Sequence, residues 1–245
     1  MSQSLTRREA NREATLADIR AGARALLVAE GHPGVTLRAI ARSIGMTAPA
    51  LYRYFPSRED LLRDLITGSF GEMSDTMEAA ARAYPTDDLA GRLFAAANAF
   101  RGWALGHRAE FELVFATPHA KEEGLPEDHP LVLAGERFGG VFLGIFVELW
   151  LRQPYPVRPD AAVDPRLAEQ LACWPAAQQT PLPLGAVEVF LACWVQLYGL
   201  VSMEVFGHLG FALHDVSPMF DSMLTDLAVR LGLKYRPEFG SAAPA

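Results

Sequence analysis

Apolar residues recur at three- and four-residue steps along almost the whole chain, the spacing that gives a helix one buried face. Leu16, Ile19, Ala23, Leu26 and Leu27 form the first such stripe, which Gly31 ends in the position where helices commonly take a left-handed residue. After the Pro33-Gly34 loop, Thr36 stands as an N-cap for a second helix with Leu37, Ile40, Ala41 and Ile44 on one face. That helix stops at Gly45. A third, short helix follows, with Thr47 as its cap and Pro49 in its first turn, where a missing N–H costs little. It ends before Pro56, and Ser57-Arg58-Glu59-Asp60 resembles a capping box opening a long helix through Leu61, Leu62, Leu65 and Ile66.

Further helices are predicted at about 87–106, 108–117, 129–152, 184–207 and 217–232. The proline-rich segment 153–183 shows little periodicity and reads as a long loop with one helical turn near Pro165–Cys173. Alternation of the kind strands need does not occur. The expected fold class is all-α: an N-terminal three-helix unit over residues 1–66, with 1–14 as a flexible arm, then a larger helical body over 67–235 and a disordered tail over 236–245.

Charge sharpens this division. The chain carries a formal net charge of −7, yet residues 1–70 hold ten arginines against seven acids. A mildly basic front on an acidic body suits a protein that meets phosphate at one end. Within that front, Thr36–Phe55 reads TLRAIARSIGMTAPALYRYF, two short helices joined through a glycine, as in a helix-turn-helix. Leu37, Ile40, Ile44, Met46, Leu51 and Phe55 supply the contacts that hold the two together. Thr47, Ala48, Pro49, Ala50, Arg53 and Tyr54 are left facing outward, with Tyr52 at the flank. Arg53 has the strongest base-reading chemistry, because a guanidinium can bond bidentately to guanine O6 and N7. On the residues alone, Tyr52, Tyr54 and Phe55 could equally be core.

The run IARSIGMTAPALYRYFPSREDLL resembles the N-terminal domain of the TetR family of repressors. The resemblance covers about residues 15–66 and implies DNA contacts from Thr47, Ala48, Pro49, Tyr52, Arg53 and Tyr54. It also implies phosphate contacts from Arg58, where the family commonly has lysine, and from Thr36 at the head of the second helix. Arg7, Arg8 and Arg12 would form an arm near the backbone or minor groove. The partners expected are a double-stranded DNA operator, a small effector and a second copy of the chain, joined through the last two helices.

The body holds all four tryptophans. Its aromatic and sulfur-bearing residues Trp103, Phe111, Phe115, Phe138, Phe142, Phe146, Trp150, Trp194, Tyr198 and Met203 are candidates for an effector pocket, against the plainer reading that they are core. Gly135, Gly139, Gly140 and Gly144 remove bulk from one face of the predicted 129–152 helix, permitting close helix approach or an internal space. Trp194-Val-Gln-Leu-Tyr198-Gly199 is similar to a Trp-x-x-x-His-Gly signature found in one class of the family's C-terminal domains, with tyrosine in place of histidine.

Other function classes fare worse. The chain carries no HExxH, GxSxG, P-loop or dinucleotide fingerprint, so no catalytic, metal or cofactor site is expected. Phe138–Leu151 is short for a membrane span, and Leu184–Gly207 contains Glu188, Gln196 and Glu204, which a soluble core accommodates better. Two cysteines without CxxC spacing and a polar N-terminus suit the cytoplasm. The alternatives are a helical enzyme or lipid-binding bundle using the aromatic body, or a DNA-organising protein without sequence preference.

Overall fold

The structure is a computed structural model describing residues 6–116, 124–174 and 179–240. Among these, regular structure is helical throughout. The helices are α1 (Arg7–Gly34), α2 (Leu37–Ser43), α3 (Ala48–Leu51), α4 (Arg58–Arg82), α5 (Leu89–Gly106), α6 (Arg108–Phe115), α7 (Pro130–Arg152), α8 (Pro165–Cys173), α9 (Leu184–Val205) and α10 (Ser217–Arg230), with 3₁₀ turns at Asp160–Ala162 and Pro237–Gly240. Packing divides the chain into two units: residues 1–70 with 107–135, and 71–106 with 136–245. The boundary expected at 66/67 lies close to the first break between the units, and α6 groups with the first helices.

In the first unit α1 packs on α2 and α6, with Ile19, Ala23 and Leu27 fully enclosed. Arg20 bridges from α1 to α4 through a bidentate pair with Asp64, both contacts at 2.7 Å. On α6, Glu110 is buried and faces Arg24 of α1 at 3.5 Å. The expected flexible arm is not seen over its described part. Thr6 and Glu9 form a reciprocal capping box, so the helix runs from Arg7 and carries Arg7, Arg8 and Arg12 on it. Gly31, with φ 70°, interrupts α1 where the sequence placed its end.

In the second unit α5, α9 and α10 enclose a core around Phe94, Phe100 and Phe220. Glu204 of α9 accepts two bonds from Arg101 of α5, which also donates to Ser217 and lies 4.8 Å over the Phe220 ring. The segment expected as a loop is more ordered than its composition suggests. Asp164 caps α8 by accepting from the backbone N–H of Arg166 and Leu167, and α8 runs nine residues against α9. Before it, the chain lies so close to α9 that a Cβ on Gly185 would meet the Arg158 carbonyl oxygen. Only glycine fits there. The expected disordered tail is also corrected for residues 236–240. Phe239 is buried, with its ring against Tyr84, Phe94 and Tyr235.

Candidate DNA-reading interface and helical-body cavity

The turn between α2 and α3 is set by Gly45, whose φ of 68° is left-handed and costs a glycine nothing. The Met46 N–H then reaches back to the Ala41 carbonyl at 2.8 Å, folding α3 against α2. Leu37, Ile40, Leu51 and Phe55 are buried and hold the two helices as one piece. Ile44 and Met46 are half-buried at the edge of that contact.

What remains outside is the surface the sequence pointed to. Thr47, Pro49, Tyr52 and Arg53 are exposed, while Ala48 and Ala50 are half-buried. Tyr52 is 48% exposed, too open for the core role that its spacing also allowed. Tyr54 is half-buried, with the Arg12 guanidinium of α1 stacked 5.4 Å from its ring centroid. Thr36 is exposed and caps α2 by accepting from the Ala39 N–H at 3.2 Å. Thr47 occupies the cap position of α3, but its hydroxyl makes no capping bond.

Arg58, also named from sequence, is engaged within the protein. It is half-buried, with Nε donating to the Val35 carbonyl at 2.6 Å and Nη2 to the His32 carbonyl at 2.7 Å. The guanidinium therefore ties the start of α4 to the α1–α2 connection. Ser57 caps that start, accepting from the Asp60 N–H at 3.0 Å.

The aromatic candidates of the body separate into groups. Phe142, Phe146 and Trp194 line a cavity in the second unit together with Leu93, Phe94, Ala97, Phe190, Cys193, Leu197, Leu224, Leu227 and Leu231. It encloses about 410 Å³ of atom-free space, part of it open to solvent. Phe138 and Tyr198 stand behind the wall, packed on Trp194, and Trp150 packs on Tyr155. Trp103 is buried outside the lining, Met203 is exposed, and Phe111 and Phe115 belong to the first unit, 4.8 Å apart. Gly139, Gly140 and Gly144 lie on an exposed face of α7 with nothing near, so they make no room inside.

Of the two thiols, Cys173 is exposed, and Cys193 is buried in the cavity wall, its pKa pushed up to about 11 by burial. The additional lining residues carry no signal apart from ordinary helical spacing, which is why the sequence did not single them out.

Residues 19–65 match the family described as bacterial regulatory proteins, tetR family. Residues 93–227 match a second, described as a tetracyclin repressor-like C-terminal domain. The chain belongs to the TetR family. It is 31% identical over 231 residues to two curated relatives, the HTH-type transcriptional regulators Rv1816 of Mycobacterium tuberculosis and Mb1846 of Mycobacterium bovis, covering 88% of this chain and 91% of each relative. Its fold is similar to the crystal structure of SCO4313, described there as a regulatory protein, with a TM-score of 0.70 and 29% identity over 91% of this chain and 98% of the other. This TetR protein is therefore a helix-turn-helix transcriptional regulator with a helical C-terminal domain, and α2–α3 lies within its matched N-terminal domain. The match across 93–227 also accounts for α7 and α9 as helices of that domain, although both are long and apolar enough to cross a membrane.

Proposed function

We propose that this regulator binds a pseudo-palindromic operator as a homodimer, represses from it in the cytoplasm, and is released by a small, largely apolar effector. The observation that carries the reading is the exposed strip Thr47, Pro49, Tyr52 and Arg53 on and around the short helix α3, held from behind by Leu51 and Phe55. Arg53 reads one base position, Ala48 and Pro49 offer apolar contact of the kind a thymine methyl accepts, and Thr36 and Tyr52 position the backbone. Arg12 beside Tyr54 extends the basic surface along α1.

One such helix reads too few bases for useful selectivity, so two copies act together. Val195 and Met203 on α9 and Met219 and Val229 on α10 are exposed apolar side chains that favour a seam between copies at these last two helices. The cavity is the effector site of this reading. Its wall draws on α5, α7, α9 and α10, which supports a coupling role, because one effector touches all four helices. The effector then favours a conformation with different spacing of the recognition helices and weakens operator binding by its differential affinity.

The test is an electrophoretic titration of the full chain against a selected operator and against random duplex, at several salt concentrations. The proposal expects a specificity ratio of about 10³ or more. A ratio near one would leave a DNA-organising protein.

A further inference from the structure

The first unit sorts its arginines into two sets. Of the ten in residues 1–70, Arg20 pairs with Asp64, Arg63 with Asp60, Arg24 faces Glu110, and Arg58 is held by backbone carbonyls. Arg7, Arg8, Arg12, Arg38, Arg42 and Arg53 are exposed and form no ion pair among the described residues. The first three stand outside α2–α3, on the opening turns of α1. The capping box fixes that start and turns the Glu9 carboxylate to the helix end, where it accepts from the Thr6 N–H at 2.7 Å. Glu13 lies two turns before Arg20, on that residue's side of the helix. Arg8 and Arg12 are four residues apart and share one face, about 6 Å apart along the axis. Arg12 lies over the Tyr54 ring, 5.4 Å from its centroid, and Tyr54 directly follows Arg53. Arg7 points about 100° round the helix from Arg8.

We propose that Arg8 and Arg12 form a phosphate clamp on α1, gripping the DNA backbone beside the bases that Arg53 reads, with the Tyr54 ring holding the Arg12 guanidinium in position. This rests on the reading of α2–α3 as the DNA-reading element and adds contacts outside it. A guanidinium lying on an aromatic face keeps its edge N–H groups free, and phosphate oxygens accept from that edge. The ring also restrains a long side chain that would otherwise lose rotamer freedom on binding. Arg8, one turn back along the same face, takes a neighbouring phosphate. Double-stranded DNA fits this surface because the face is cationic, its neighbouring acids are directed elsewhere, and Tyr54 makes it continuous with the exposed strip around α3. Neither arginine chooses a base, since phosphate contacts set grip and register.

Random duplex is titrated at several salt concentrations with full-length wild type, Arg7→Gln, Arg8→Gln, Arg12→Gln, Arg12→Lys, Tyr54→Leu and Arg12→Gln/Tyr54→Leu. Arg8→Gln and Arg12→Gln are each expected to lower the slope of log K against log salt by about 1.8 in a dimer. Arg12→Lys keeps most of the slope, and Arg7→Gln leaves it nearly unchanged. At fixed salt, Arg12→Gln weakens binding several-fold in the wild type and much less beside Tyr54→Leu. Sequences selected from random duplexes by Arg8→Gln and Arg12→Gln match those of the wild type. Unchanged slopes in both variants, or an equal fall in Arg7→Gln, overturn the clamp and leave the α2–α3 reading standing on its selected sequence. An altered base preference overturns the phosphate assignment. Equal losses from Arg12→Gln with and without the ring overturn the role of Tyr54. A wild type that binds no duplex removes the α2–α3 reading and the clamp together.

Discussion

Arg58 provides a sharp test of how the DNA-binding unit is held together. Family resemblance implies a phosphate contact at this position, whereas its guanidinium is committed to the Val35 and His32 carbonyls at 2.6 and 2.7 Å. Hydrogen bonds to a charged group contribute about 1.5–3 kcal/mol each. The two share one half-buried side chain, so their joint loss in Arg58→Met is expected to cost about 2–4 kcal/mol. For a chain of this length that lowers Tm by about 5–10 °C.

A phosphate contact predicts something different. Each neutralised phosphate contributes about 0.9 to the slope of log K against log salt, so losing one per subunit of a dimer reduces the slope by about 1.8. Random duplex suffices for this titration, since the salt term carries no sequence information. Thermal denaturation and salt-dependent binding of wild type and Arg58→Met therefore separate the two roles. A lower Tm with an unchanged slope supports the latch. An unchanged Tm with the slope reduced by about 1.8 would refute it.

Other predictions follow from the same physical reasoning. Arg101→Met leaves Glu204 enclosed without its cation and is expected to cost about 3 kcal/mol in denaturant unfolding, most of it recovered in the Arg101→Met/Glu204→Leu double variant; a double variant no more stable than the single would contradict this. Phe239→Ala removes a ring packed on Phe94, Tyr84 and Tyr235, and should cost about 3 kcal/mol. A loss below about 0.5 kcal/mol, in the range of ordinary surface substitutions, would mean that the 236–240 segment is not docked. The hydrogen bond from Arg137 holds the Glu78 carboxyl below the usual carboxylate range. That stabilisation is present above roughly pH 4.5 and fades as pH falls through the depressed pKa. Glu78→Gln should then lose about 0.5–1 kcal/mol at pH 7 and show a shallower acid limb, and an identical limb would contradict the assignment.

The recognition unit was legible because its signals are local. Gly45 takes a left-handed backbone, Leu51 at the end of α3 and Phe55 after the following turn are buried, and the arginine between them is exposed. Arg58 shows where local reading stops. Its partners are carbonyls 23 and 26 residues earlier in the chain, and nothing in its neighbours' identities reports them. The segment 153–183 misled for a related reason. Its prolines suppress periodicity, yet Asp164 and Pro165 are a start signal for α8, and Tyr155, Val163 and Leu171 are buried.

The cavity was the least legible feature. Its wall combines α5, α7, α9 and α10, and whether an aromatic side chain lines a space or packs behind it depends on the position of those helices. Phe142 and Phe138 sit one helical turn apart on α7, but Phe142 lines the cavity while Phe138 backs Trp194.

The central claim is that the α2–α3 element reads DNA sequence in pairs. Selection of bound sequences from random duplexes, with the full-length wild type and Arg53→Ala in parallel, tests it most directly. The wild type is expected to return two inverted half-sites centred about 34–36 Å apart along the duplex, or a multiple of that spacing. Arg53→Ala should relax one base position in each half at a cost of about 1–3 kcal/mol there. A single unpaired site, or an unchanged preference in Arg53→Ala, would contradict it.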